Sequence, residues 1–258
     1  MKSITKIFFL IVMAVIICQC EKKSEVKLVY IPDNNFLNAL IDLGVDKDGD
    51  GAINTEEAIA VKKLLLREKQ IADLKGIEAF VNLDTLDCYY NNLSNLDISK
   101  NTRLLALICD RNNLAELELT GNPSLKFLYC AGNELSSLDL SNNTALEILF
   151  CEANQIGTLD LSHCSLMSYL RCYNCKLTDL NLRSCTFLET LFAHNNPSSG
   201  NANQLTSLDL SNNTGLKFIY LSNLPSLYEV CVWEVPLPDD VHVNIEASPN
   251  IFFTTECN

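Results

Sequence analysis

The hydrophobic positions of the chain recur at a constant spacing of 21 residues. Each block has a leucine, a second apolar residue three places later, a cysteine two places after that and usually an asparagine three places further on, with polar residues between them. This alternation predicts one short strand per block, followed by a return segment. The blocks begin at Leu83, Leu104, Leu125, Leu146, Met167 and Leu188, the last with Ala193 in the cysteine position.

A block of this kind cannot bury its apolar side alone, so consecutive blocks must stack. The pattern predicts an α/β repeat solenoid, which is a leucine-rich repeat parallel β-sheet with a small helical N-terminal cap. Because 21 residues leave little room for a helix on the return side, we expect short non-helical backs. Eight strands spaced about 4.8 Å apart would form the sheet.

Composition and pattern divide the chain into five parts. They are a lipoprotein-type signal peptide (1–19), a tether (20–30), a helical cap with a degenerate first repeat (31–82), the repeats (83–226) and a C-terminal cap (227–258). In the first cap, one helix is predicted to begin at Pro32-Asp33, and a second at Asn54 or Thr55 that carries Val61 and Leu64. Beyond Leu216, two closing strands over 216–221 and 227–233 are predicted to precede a tail expected to cover the open edge.

The N-terminus has the features of an export signal. Lys2 and Lys6 precede an apolar run from Ile7 to Ile17 that is too short to span a bilayer as a helix. The run ends at Cys20, which we expect to be acylated, although Gln19 departs from the small residue usual before such a cysteine. Simple cleavage or retention as an uncleaved anchor are the alternatives. The protein is expected to be exported and lipid-anchored at a bacterial outer membrane or cell surface.

A twelve-residue segment from Asp46 to Glu57 matches an EF-hand calcium loop. It has oxygen ligands at positions one, three, five, nine and twelve, a glycine at six and an apolar residue at eight. We expect a structural calcium ion; the alternative is an acidic turn that caps a helix. The expected ligands, with a backbone carbonyl from the alanine, are Asp46, Asp48, Asp50, Ala52, Asn54 and Glu57.

The repeated cysteines point inward, so they should form one buried column of reduced thiols. Parallel neighbours nearly 5 Å apart do not meet disulfide geometry, and a straight column does not provide the tetrahedral ligands of zinc. Cys172 and Cys175 have redox-motif spacing but both point inward, which favours a structural pair. Cys231 and Cys257 are the only pair for which a disulfide and two free thiols are equally expected. The column comprises Cys88, Cys109, Cys130, Cys151 and Cys172.

Two further columns are polar. Asparagines at the strand exits should satisfy backbone groups through their side-chain amides, and they are Asn91, Asn112, Asn133, Asn154 and Asn196. Acidic residues should form a solvated edge rather than a cation site, and they are Asp97, Glu118, Asp139, Asp160 and Asp209. The register is interrupted once, where Pro197 to Gln204 inserts seven extra residues that must bulge as a loop.

The residues two, four and six places after each first leucine should face outward, and aromatic residues concentrate there. Contiguous exposed apolar surface of this kind typically marks a binding site. The alternative is that the closing tail or a neighbouring molecule covers it. The predicted partner-binding residues are Tyr89, Phe127, Tyr129, Phe150, Tyr169, Arg171, Tyr173, Phe192, Phe218 and Tyr220.

The repeat Leu-x-x-Leu-x-Cys-x-x-Asn at 21 residues resembles the repeats of internalin J-like bacterial surface proteins. That resemblance implies a recognition or adhesion protein, although the chain departs from that group in its lipoprotein-type signal. The expected partner is a protein or a carbohydrate on the strand face of a monomer, and a purely structural envelope role is a further alternative. A net charge of −13 argues against nucleic acid. Scattered histidines and the absence of a nucleophile elbow argue against an enzyme.

Overall fold

The computed structural model describes residues 27–257, so the predicted signal segment and Cys20 lie outside the described residues. The described chain is a solenoid in which each coil adds one parallel strand to a nine-stranded main sheet. This confirms the predicted fold class, with one strand more than expected. Numbered along the chain, the strands of the main sheet are β1 (Lys63–Leu65), β2 (Thr85–Asp87), β3 (Ala106–Ile108), β4 (Phe127–Tyr129), β5 (Ile148–Phe150), β7 (Tyr169–Arg171), β9 (Thr190–Phe192), β11 (Phe218–Tyr220) and β13 (His242–Asn244).

The return side of the coils is extended, as predicted from the short period. From the fifth coil onward it carries additional three-residue strands that pair in parallel. These back strands are β6 (Thr158–Asp160) with β8 (Asp179–Asn181), and β10 (Ser207–Asp209) with β12 (Glu229–Cys231) and β14 (Phe252–Thr254).

The N-terminal cap holds helix α1 (Asn34–Asp42), helix α2 (Thr55–Ala60) and a 3₁₀ turn (Ile77–Ala79). Asp33 caps α1, as predicted from Pro32-Asp33, and Asn54 caps α2. The prediction that α2 carries Val61 and Leu64 is wrong. Val61 has an extended backbone, and Leu64 lies in β1 opposite Leu86, because its burial is satisfied by stacking on the next coil.

The part of the predicted tether that the structure describes belongs to the cap. Val29 donates a backbone hydrogen bond to Ile53 (2.8 Å), and Thr55 donates one to Lys27 (2.9 Å). Residues 27–30 therefore form an extended segment bonded to the predicted calcium loop. A free tether would leave these backbone groups to water.

The core is a continuous stack of leucines and cysteines along the solenoid. The predicted column from Cys88 to Cys172 is fully buried and its thiols are free. Cys175 is also inward, and its Sγ donates to the Cys151 carbonyl at 3.1 Å. In the C-terminal coil, Cys231 and Cys257 form a disulfide. Removal from solvent raises the pKa of the column thiols well above its usual range, so the fold keeps them protonated.

The asparagine column bonds each coil to its neighbour. Asn112, for example, accepts from the Leu93 amide and donates to the carbonyls of Cys88 and Cys109, all at 3.0 to 3.1 Å. The prediction that Asn196 belongs to this column is wrong, because Asn196 is exposed.

Asn203 takes that position instead. Its amide nitrogen donates to the Cys172 and Ala193 carbonyls, and its oxygen accepts from the amides of Cys175 and Leu177. The inserted segment leaves the coil directly after Asn195, so the asparagine that reaches those carbonyls comes at the end of the inserted segment, where the chain returns to the coil.

The C-terminal cap continues the coil rather than covering its edge. Of the two predicted closing strands, β11 joins the main sheet but β12 joins the back sheet. The step of 11 positions from Phe218 to Glu229 carries the chain only halfway round a coil. The tail then adds β13 to the main sheet and β14 to the back sheet. Residues 27–257 include no helix that is long and apolar enough to cross a membrane.

Candidate functional site

The outward side of the main sheet is formed by the first and third residues of each strand. In β3, β4, β5 and β7 these two positions are partly exposed and the central residue is buried. The adjacent cysteine is buried again, so thiols and rings point to opposite sides of the same strands. Backbone alternation therefore places the aromatic residues on the surface. We call this surface, from β2 to β13, the strand face.

Five of the predicted residues form a continuous row of rings across five neighbouring coils. Successive ring centroids lie 4.8, 5.3, 5.9 and 4.2 Å apart, within the range of favourable aromatic contacts. The row runs through Tyr129, Phe150, Tyr169, Phe192 and Tyr220. Described parts of the C-terminal tail extend the sheets beside this row instead of folding over it.

Arg171 lies at the centre of the row. Its guanidinium carbon is 4.6 Å from the Phe150 ring centroid and 5.8 Å from that of Phe192, which is cation–π geometry. One terminal nitrogen lies 2.9 Å from a carboxylate oxygen of Glu152 and donates to the Tyr173 hydroxyl at 3.0 Å. Held on several sides, Arg171 joins the aromatic row to a polar margin.

The other predicted face residues are more dispersed. Tyr173 stacks on His194 at 4.5 Å, next to Pro197 at the start of the inserted loop. Phe218 stacks on His242 at 5.2 Å. Sequence reasoning did not place His242 on the face, because the tail does not follow the 21-residue register. Phe127 is partly buried, and Tyr89 lies at the N-terminal end of the face beside Arg67.

Two carboxylates on the strand face, Asp110 and Glu152, have raised pKa values. Burial raises the pKa of the Asp110 carboxyl to about 6 and that of Glu152 to about 7. Neither was among the predicted site residues, although both occupy the sixth position after a first leucine and could have been found by the same register. Asp110 accepts a hydrogen bond from the Ala131 amide at 2.8 Å.

These raised pKa values predict a pH-dependent stability cost. The unfolded chain ionises Asp110 at lower pH than the folded chain, so the folded state loses stability as pH rises from about 4 to about 6. Above that range Asp110→Asn should be more stable than the wild type by about 1 to 3 kcal/mol, and near pH 4 the two should be equal. Urea unfolding at both pH values measures this. Exposed Asp139→Asn is the control and should give no such gain; an unchanged Asp110→Asn at pH 7.5 would contradict the prediction.

The predicted calcium loop brings three carboxylates together. Oxygens of Asp46, Asp48 and Asp50 all lie within 4.8 Å of one another. Gly51, at the sixth position, has a φ of +83°, a conformation that glycine adopts without strain. Asp46 accepts from the amides of Gly49 (2.7 Å) and Gly51 (3.0 Å), which folds the loop around its first position.

The last two predicted ligands close the loop. Asn54 accepts from the Glu56 and Glu57 amides and so caps α2. The Glu57 carboxylate accepts from the Lys47 amide at 2.6 Å and the Asn54 amide at 2.9 Å, so it bridges the two ends of the loop. Hard oxygen donors around a tight turn fit calcium, which takes six to eight oxygen ligands in flexible geometry. Ala52 would contribute its backbone carbonyl.

Comparison with known proteins places the chain among leucine-rich repeat structures. It is 33% identical over 73 residues to internalin J of Listeria monocytogenes serotype 4b (strain F2365). This match covers 28% of this chain and 8% of internalin J. A solved structure of the functional domain of InlJ from Listeria monocytogenes, which is described as including a cysteine ladder, is also similar. The match covers 88% of this chain and 63% of the InlJ chain, at 24% identity and a TM-score of 0.57.

A plant structure with the same fold also matches. It is the leucine-rich repeat ectodomain of the receptor kinase GASSHO1/SCHENGEN3 from Arabidopsis thaliana, in complex with CASPARIAN STRIP INTEGRITY FACTOR 2. The match covers 78% of this chain and 26% of the other, at 21% identity and a TM-score of 0.59. No protein-family model matches the chain. The chain spans less than two thirds of the length of each of these proteins.

Proposed function

We propose that this chain is an exported, surface-anchored leucine-rich repeat protein that binds a protein partner through the strand face. The observation that carries the proposal is the row of five partly exposed rings in contact with one another, with Arg171 among them. Aromatic residues and arginine dominate the binding energy of protein interfaces. A rigid sheet also loses little conformational entropy when it binds.

The comparisons support this role at the level of the fold. The plant ectodomain was solved with a bound partner, and the similar InlJ structure is described as including a cysteine ladder. Export and lipidation at Cys20 rest on the sequence alone. We further propose that the loop from Asp46 to Glu57 holds a structural calcium ion, supported by its converging carboxylates.

A capture experiment tests the binding role. The immobilised protein is exposed to bacterial envelope and host-cell extracts, and captured proteins are then purified and their affinity measured. Replacing Tyr129, Phe150 and Phe192 together with alanine should weaken the affinity at least 100-fold, because central aromatic anchors each contribute roughly 1 to 2 kcal/mol or more. Thermal melts confirm that the variant remains folded.

Phe187→Ala is the matched control. Phe187 is also an exposed ring, at 63% exposure, but it lies outside the strands that form the strand face. Affinity should be unchanged in this variant. Equal binding by the triple variant and the wild type would exclude the strand face. A glycan array tests the second candidate, since a partly exposed aromatic surface such as this row can also stack on sugars.

A further inference from the structure

The margin of the strand face contains a notch. It has a volume of about 560 Å³ and opens between Asp110 and Glu152, with the rings of Tyr89, Phe150 and Tyr173 around it. The coil between the two acidic residues has Ala131 and Gly132 where its neighbours carry larger side chains. A missing side chain in one coil of a regular stack leaves space that a ligand group can fill.

The charges around the notch are unequally matched. Asp87 is paired with Arg67, and Glu152 is paired with Arg171. Asp110 lies between these pairs along the solenoid, yet within residues 27–257 no lysine or arginine forms an ion pair with it. Along this part of the solenoid there are thus three carboxylates but only two arginines that form ion pairs with them. Arg111 also borders the notch, on its exposed rim.

A second observation concerns unmet hydrogen bonding. Glu152 is only 6% exposed, and its oxygen Oε2 has no hydrogen-bond partner within the described part of the chain. Arg171 also has an unpartnered buried nitrogen, Nε. Buried polar atoms are normally satisfied, because an unmade bond costs about 1 to 3 kcal/mol. A donor entering the notch beside Glu152 would relieve part of this cost after a small side-chain movement.

We propose that the notch receives a basic side chain of the protein partner, placed between Asp110 and Glu152. This inference rests on the proposed function and names the chemistry of the contact. A guanidinium group supplies the missing positive charge, donates to the carboxylates and stacks on the flanking rings. The cost of burying Asp110, seen in its raised pKa, is then offset on binding.

A tripeptide titration of the full chain tests the proposal. The probes are acetyl-Gly-Arg-Gly-amide and the same peptide with citrulline, which keeps the shape of arginine but is uncharged. Binding is followed by NMR at the Ala131 amide, which reports on Asp110 through their hydrogen bond. The arginine peptide should bind at least tenfold more tightly than the citrulline peptide.

Two variants complete the test. Asp110→Asn should weaken arginine-peptide binding about tenfold, while Asp139→Asn, an exposed position away from the notch, should leave it unchanged. Because Asp110→Asn is expected to stabilise the fold, a loss of binding cannot be attributed to unfolding. Equal binding of the two peptides, or unchanged binding to Asp110→Asn, would overturn the inference.

A partner from the capture experiment separates this inference from the proposed function. If the partner's affinity falls in the ring variant but not in Asp110→Asn, the notch proposal is wrong and the strand-face proposal stands. If the affinity falls in both variants, both proposals are supported. If the ring variant binds the partner normally while the arginine peptide still binds tightly, the notch proposal stands and the aromatic row is excluded as the binding surface.

Discussion

Asn112→Ala should lower the free energy of unfolding by about 2 to 5 kcal/mol. The substitution leaves the buried Leu93 amide without its side-chain partner. It also removes one of two asparagine donors from each of the Cys88 and Cys109 carbonyls, which keep Asn91 and Asn133 respectively. The unsatisfied amide costs about 1 to 3 kcal/mol, and each lost hydrogen bond adds about 0.5 to 1.5 kcal/mol. Because the lost bonds join two coils, the substitution should weaken the interface between neighbouring coils, which stabilises the solenoid.

Equilibrium urea unfolding measures this effect, with amide exchange at Leu93 as a local readout. Asn113→Ala is the matched control, since the neighbouring side chain is exposed and the change should fall within about 0.5 kcal/mol. Asn112→Cys should lose less than the alanine variant, because Cys175 already occupies an equivalent position and donates to a carbonyl. A loss below 1 kcal/mol for Asn112→Ala would show that the column does not bind the coils together.

Saturating calcium should raise the melting temperature of the protein by about 5 to 10 °C. Binding at 100 times the dissociation constant stabilises a folded state by about 2.7 kcal/mol, and a domain of this size shifts by about 2 to 4 °C per kcal/mol. The three aspartates repel one another without a cation, so the expected effect includes relief of that repulsion. Magnesium should give a smaller shift, because it demands octahedral geometry.

Asp48→Asn tests the site with least disturbance. Within residues 27–257 the Asp48 side chain accepts a hydrogen bond only from the Asp50 amide, and asparagine can keep that bond. Asp46 and Glu57, by contrast, accept several amides that hold the loop and cap together. The calcium shift should fall by at least half. Asp73→Asn removes an aspartate with the same kind of local bond outside the loop, and its shift should equal that of the wild type. A wild-type protein insensitive to calcium would exclude the ion.

Much of this architecture was predictable because it repeats. The 21-residue period determines that coils stack, and two-residue alternation determines that Cys130 is buried while Phe150 reaches the surface. Each prediction needs only local geometry applied several times. The calcium loop from Asp46 to Glu57 stays a prediction, and it too could be proposed from local sequence because its oxygen spacing lies within twelve consecutive residues.

Interruptions of the period were not predictable in the same way. Asn203 rather than Asn196 completes the asparagine column, because only the path of the inserted loop decides which amide reaches the Cys172 carbonyl. Leu64, which was predicted to lie in a helix, lies in a strand because of its contacts with another coil. Stacking against the next coil outweighs the helical pattern of a short apolar segment.

The sequence by itself determined the solenoid, its core and the side on which rings emerge, since these follow from periodicity. Only the tertiary structure decided which side chains of different coils meet. Arg171 contacts Phe150 and Glu152, some 20 residues away in sequence, while no lysine or arginine within residues 27–257 forms an ion pair with Asp110. Such contacts depend on side-chain size and charge across neighbouring coils. A repeat pattern specifies the position of each residue, but not the residue that lies beside it.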